Sequence, residues 1–216
     1  MDEQRRAITV SGQGSVATPP DLGHIQLGVR VTNRDTDSAL KLANERISRV
    51  QVALNNAGIA DDDIKLGWFS VTTVHDHVEG RSVFRGYRVS HDLTITVREI
   101  GRTGEFLSIA VNAGADDVGG VSFSVEDPTS STDRARERAF AHARHKAEEL
   151  ARLAGVRLGA VASIRETTHE PVPVERRELR TMAASYAMAE DRAPDVPINP
   201  DDAEFTVRME VVWEIE

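Results

Sequence analysis

Seven histidines and no cysteine set the chemistry open to this 216-residue chain. Without thiols there is no disulfide, no thiolate nucleophile and no zinc–thiolate site, so imidazoles and carboxylates remain for metal binding or acid–base work. His142 and His145 stand three apart, with Glu149 a turn further on. That spacing puts all three on one helical face, in reach of one cation. The same face carries Arg138 and Arg152, whose charge opposes a cation, and it lies opposite an alanine stripe, so a solvated polar face is the better reading. His75 and His77 share a side of a strand near a hairpin tip, with Asp76 turned away. Two imidazoles fall short of the three or four protein ligands that a metal site usually needs. His91 has the parity of the apolar residues around it, which predicts a core histidine hydrogen-bonded to a neighbour. A role as a base would need a nucleophile or a substrate cleft beside it.

Other clusters read the same way. Gly12-Gln13-Gly14 lacks the third glycine and the following helix of a dinucleotide loop, since Pro19-Pro20 and a strand come next. A bulge or a close backbone approach explains it better. Asp61-Asp62-Asp63 lacks the alternating carboxylates, central glycine and distal glutamate of a calcium loop, leaving a capped acidic turn. Arg176, Arg177 and Arg180 form a small basic patch with no aromatic residue interleaved, unsuited to stacking on single-stranded nucleic acid. There is no Gly-x-Ser-x-Gly elbow, His-Glu-x-x-His helix or phosphate loop. No catalytic, cofactor-binding or metal-ligating residue is assigned, and no cofactor is expected.

The elements that carry these residues are marked by periodicity. Alternation over Ile25–Val31, Tyr87–Val97 and Phe205–Ile215 predicts half-buried strands, with shorter ones at Ile8–Val16, Ile64–Val74, Val121–Val125 and Ala160–Thr167. One wet and one dry face per strand implies an antiparallel sheet covered on a single side. Ala39, Ala43, Ile47, Val50, Leu54 and Ala57 form one helical stripe, entered from Asp35-Thr36-Asp37-Ser38 and stopped at Gly58. A second long helix, opening after Ser130-Ser131-Thr132-Asp133 and stopping at Gly155, turns Ala135, Ala139, Ala143, Ala147, Leu150 and Ala154 inward. An inner face of alanine packs unusually close to a sheet. A third helix is predicted over Thr103–Ala113, ahead of Gly114. The fold class is therefore α+β, a mainly antiparallel sheet with helices on one face.

The order strand, helix, strand, strand occurs twice, so an internal duplication is expected, with repeats over 22–98 and 118–216 of one domain spanning 1–216. The first repeat is interrupted at His75–Ser82, a short hairpin tip containing Gly80. The second is interrupted by the irregular stretch 170–203, which holds five of the eight prolines and the apolar run Leu179–Met188. A connection that long without periodicity is usually functional or disordered.

Composition narrows the class further. The 40% apolar and 28% charged shares are those of a globular chain. No run approaches the roughly 18 apolar residues of a membrane helix. A formal net charge of −9 argues against nucleic acid as a partner. Met1-Asp2-Glu3-Gln4-Arg5-Arg6 leads straight into a strand pattern, so the chain as written is expected in the cytoplasm. An export signal ahead of Met1 would instead place it in the cell envelope or outside the cell.

Taken in order, several short motifs give a resemblance. They are Ile8-Thr9-Val10-Ser11-Gly12-Gln13-Gly14, Pro20-Asp21, Asn55-Asn56-Ala57-Gly58-Ile59, Gly86-Tyr87-Arg88-Val89 and Asn112-Ala113-Gly114-Ala115. Val118-Gly119-Gly120-Val121-Ser122-Phe123, Lys146-Ala147-Glu148-Glu149-Leu150-Ala151 and the proline-bearing loop complete the set. Together they resemble the SIMPL-domain family of bacterial proteins, whose role is poorly defined, over nearly the whole chain. The resemblance implies an α+β fold, a tendency to homo-oligomers and frequent export to the envelope, and it supplies no catalytic residues. The expected function is that of a non-catalytic scaffold or interaction protein. It would self-assemble through exposed sheet edges, with stretch 170–203 open to a protein partner. The alternative is a small-ligand or divalent-metal binding module using His75 and His77 or His142 and His145.

Overall fold

The computed structural model describes residues 6–78, 80–168 and 200–216. Among these, seven strands and three helices run in the order β1 (Ala7–Thr18), β2 (Leu22–Asn33), α1 (Thr36–Asn56), β3 (Ile64–Val78), β4 (Arg81–Val97), α2 (Thr103–Ala113), β5 (Asp117–Ser124), α3 (Thr129–Ala154), β6 (Leu158–Thr168) and β7 (Ala203–Ile215). Every strand pairing is antiparallel. The strands form two sheets instead of the single one expected, ordered β3-β4-β2-β5 and β1-β7-β6. They belong to two compact units, a middle one of residues 21–124 and an end one of residues 6–20, 125–168 and 201–216.

In the middle unit α1 begins where the sequence places it. The Asp35 carboxylate accepts from the Ser38 amide at 2.8 Å, which satisfies a free N–H of the first turn, and the Ser38 side chain and amide together hold the carboxyl below its ordinary pKa. Ala39, Ala43, Ile47, Val50 and Leu54 are all buried, against Ile25, Val29, Leu93 and Ile95 of the sheet. Burying side chains of this size contributes about 1.5–3 kcal/mol apiece for the larger ones, and that drives the helix onto the sheet. α2 spans Thr103–Ala113 as expected, and Thr103 is wholly buried, its hydroxyl donating to the Ile100 carbonyl at 2.7 Å.

The end unit packs α3 on β1 and β7. Its buried stripe is Ser131, Ala135, Ala139, Ala143, Ala147 and Ala151. Leu150 is 45% exposed and Ala154 is exposed, which corrects the expected stripe at its C-terminal end. Four residues turn a helix by about 400°, so a strict four-residue stripe drifts round the cylinder and follows the twisted sheet. The helix also opens earlier than expected, at Thr129, where the Asp127 carboxylate accepts from the Thr129 amide at 3.0 Å.

The strand expected to open the second repeat, Val121–Val125, forms part of β5, and β5 pairs with β2 in the middle unit. The place beside β7 is taken by β1, in register from Ala7 opposite Glu214 to Thr18 opposite Ala203. β3 and β4 also extend beyond the expected strands, to Val78 and from Arg81, so His75 and His77 lie within a strand and Gly80 marks the turn. Stretch 170–203 falls almost wholly outside the described residues, as do Arg176, Arg177, Arg180 and Leu179–Met188. No described helix is long and apolar enough to cross a membrane.

Candidate functional site

His142 lies on an exposed face, as expected, but its ring is not free. Its Nδ1 lies 3.0 Å from the Gln13 carbonyl oxygen and 3.2 Å from the Gln13 amide nitrogen, so either tautomer satisfies one main-chain group of β1. On the flanking turns Arg138 donates to the Ser15 carbonyl at 2.6 Å and Lys146 to the Ser11 carbonyl at 2.9 Å. β1 is an edge of its sheet, and alternate residues of an edge strand turn N–H and C=O outward. Four residues of helix rise about 6 Å and two residues of strand about 6.7 Å, so every fourth side chain of α3 meets every second residue of β1. The helix thereby occupies the hydrogen-bonding edge. His145 and Glu149 are exposed and do not join His142.

This close docking explains Gly12 and Gly14. A Cβ on Gly12 would come within 2.1 Å of the Ala139 carbonyl oxygen, and one on Gly14 within 2.2 Å of that of Ala135. The approach of backbone to backbone leaves no room for a methyl group on β1 and none for more than a methyl group on the helix, so glycines face alanines.

The other histidines are also dispersed. His75 and His77 are exposed on β3, the His75 ring lies 5.5 Å from that of Phe84, and Asp76 is paired with Arg85 at 2.9 Å. His91 does face the helix side, opposite Val29 on one neighbour and Phe69 on the other. The expected hydrogen bond to a neighbour is not made: its buried Nδ1 has no partner among the described residues, and the ring meets Phe69 edge-on at 5.4 Å. Asp61-Asp62-Asp63 forms one 3-10 turn, tied by Asn55 to Asp61 at 2.6 Å and by the Arg98 guanidinium to both oxygens of Asp63. Among the described residues no three His, Asp or Glu side chains are placed to hold a metal ion.

One pair escapes sequence reasoning altogether. His24 Nε2 lies 2.8 Å from the Ser124 hydroxyl, across the ladder of β2 and β5 and 100 residues away in sequence. Burial pushes the His24 pKa down, which keeps the imidazole neutral and able to accept from the hydroxyl. Only the polar parity of His24 on β2 hints at this contact. An activated serine would also need an orienting partner for the ring and an oxyanion cradle, and the open sheet face supplies neither among the described residues.

The clearest unfilled surface is apolar. α1 packs on β2 and β4, and of the edge strand β3 Ile64 alone is buried in that core. Leu66, Phe69 and Val71 pair with Leu93, His91 and Val89, so they share the helix-side face, yet they are 50%, 49% and 39% exposed. Trp68, at a register shift in the same strand, is 69% exposed. Phe84 continues the strip along the hairpin, its ring 5.3 Å from that of Tyr87.

The chain is 32% identical to the 26 kDa periplasmic immunogenic protein of Brucella melitensis biotype 1 over 225 aligned residues, which span all of this chain and 87% of that one. It is 29% identical to the uncharacterized protein YggE of Escherichia coli K12, covering 97% of this chain and 83% of YggE. Neither carries an enzyme's name. The model of the SIMPL family, described as a protein of unknown function (DUF541), matches residues 8–213, and the chain belongs to that family.

Proposed function

We propose that this protein is a self-assembling interaction protein of the bacterial cell envelope and not a catalyst. The observation that carries the reading is the exposed strip on β3, where Leu66, Phe69 and Val71 share the helix-side face and Trp68 is exposed at the register shift between them. Contiguous exposed apolar surface of this kind marks an interaction site more often than a defect. The word periplasmic in the name of the Brucella relatives supports the envelope over the cytoplasm. Histidine-based metal binding has less support, because among the described residues His75 and His77 face solvent without a third ligand, and His142 is engaged with Gln13.

Multi-angle light scattering across a concentration series tests the assembly. The expected result is a mass fixed at a multiple of the chain mass, and a monomer at every concentration ends the proposal. Generic ester and phosphate substrates test the second half of the reading, and steady turnover of any of them would overturn it.

A further inference from the structure

We infer that the self-association surface is the outer edge of β3, which pairs antiparallel with β3 of a second copy about a two-fold axis near Ser70. This rests on the assembly reading above and assigns it a place. Four strands form the sheet edges among the described residues: β1 and β6 in one sheet, β3 and β5 in the other. β1 is closed by Arg138, His142 and Lys146 of α3. β6 shifts register twice along β7, and Arg136 of α3 reaches across to hold Glu166 through two hydrogen bonds. β5 is 8 residues long, contains Gly119 and Gly120, and shifts register opposite Gln26. Short, bulged and covered edges are the ordinary defences against strand addition. β3 has 15 residues and also shifts register twice along β4, but Phe69–Val74 between the two shifts runs in unbroken register. Apart from the Ile64 amide, which donates back to the Asp61 carbonyl, no element besides β4 makes a main-chain hydrogen bond to it among the described residues.

The side chains of β3 suit a copy of itself. Pairing centred on Ser70 sets Phe69 of each copy against Val71 of the other on the helix-side face, an aromatic–β-branched contact of the kind that stabilises antiparallel pairs. The apolar strip is then covered by its own counterpart, as an isologous interface requires. Charge fixes the direction. Lys65 lies near one end of the strand and Asp76 near the other, on the opposite face from Leu66 and Val71. Antiparallel pairing brings Lys65 of each copy towards Asp76 of the other, which already holds Arg85 and would share its second oxygen, whereas parallel pairing would set lysine beside lysine and aspartate beside aspartate.

The absence of cysteine makes the test direct. Cα atoms directly opposite in an antiparallel pair are about 4.5–5.5 Å apart, within the range that a disulfide spans. Ser70→Cys should give covalent dimers under mild oxidation, and Ser163→Cys on β6 should not. Val71→Lys, a charge on the edge strand, should at least halve the mass seen by light scattering while the far-ultraviolet circular dichroism is unchanged. A multimer that neither crosslinks through Ser70→Cys nor loses mass with Val71→Lys overturns the β3 assignment and leaves the assembly reading intact. Crosslinking through Ser163→Cys instead overturns it in favour of β6. A parent protein that stays monomeric overturns both.

Discussion

At the scale of single residues, two positions tie the fold to its chemistry. Gly12 faces the Ala139 carbonyl so closely that a methyl group would have to displace helix backbone. Gly12→Ala is expected to destabilise by about 3 kcal/mol, the upper end of ordinary overpacking, because the atom it strikes is main chain and cannot rotate away. Chemical denaturation would show this as a lower midpoint at constant slope, and an unchanged midpoint would mean that α3 stands further from β1. His24 gives a pH signature. Its folded pKa lies below the ordinary 6.5, so the unfolded chain takes up the proton first on acidification. The contribution to stability is complete above 6.5 and is lost as pH falls through that value towards the folded pKa. The informative quantity is a difference between parent and variant. The melting temperature of His24→Gln should fall less between neutral pH and pH 5 than that of the parent, and parallel curves would contradict the assignment.

At the scale of elements, α3 is both a packing helix and an edge cover. Its alanines let it lie on β1, and the same four-residue step aims Arg138, His142 and Lys146 at alternate carbonyls of that strand. If this ladder keeps β1 from recruiting strands, replacing all three with alanine should yield larger, polydisperse species in light scattering. Each exposed hydrogen bond contributes only about 1 kcal/mol, so the helix itself should survive. Scattering identical to that of the parent would mean that the bulk of α3, and not its polar side chains, closes the edge. Much of this was legible in sequence: the α1 stripe, the bounds of α2, the alternation of β7, and a close backbone approach at Gly12-Gln13-Gly14. What could not be read was which strand pairs with which. A period of two reports the buried face of a strand and carries nothing about its neighbour. Hence Val121–Val125 was expected to open the second repeat although it pairs with β2, and the glycines of β1 and the alanines of α3 were read without being joined. The His24–Ser124 contact was missed for the same reason, since it exists only once β5 is laid against β2.

At the scale of the molecule, one unit is written inside the other. Residues 21–124 form the middle unit as a continuous stretch, while the end unit takes β1 from before it and α3, β6 and β7 from after it. The same topology occurs in each. A first strand is followed by a helix and two strands, and the last of these pairs between the other two, as β2-β4-β3 and as β1-β7-β6. The duplication expected from sequence is therefore best proposed with β1, and not β5, as the first strand of the second copy. An inserted unit must enter and leave at one place. Here the Asp21 amide donates to the Ser124 carbonyl at 3.1 Å, so the two ends of the insert are adjacent. The middle unit also has its own core, in which Ile25, Val29, Leu54, Leu93 and Ile95 are wholly buried or nearly so. A continuous segment with adjacent ends and a closed core should fold alone. Residues 21–124, expressed without the rest, are thus expected to melt cooperatively with strand and helix signals in circular dichroism. They should also keep the ability to self-associate, because β3 travels with them. A fragment that folds and stays monomeric would place the assembly surface on the end unit, and one that does not fold would show that the middle unit depends on its surroundings for more than its core.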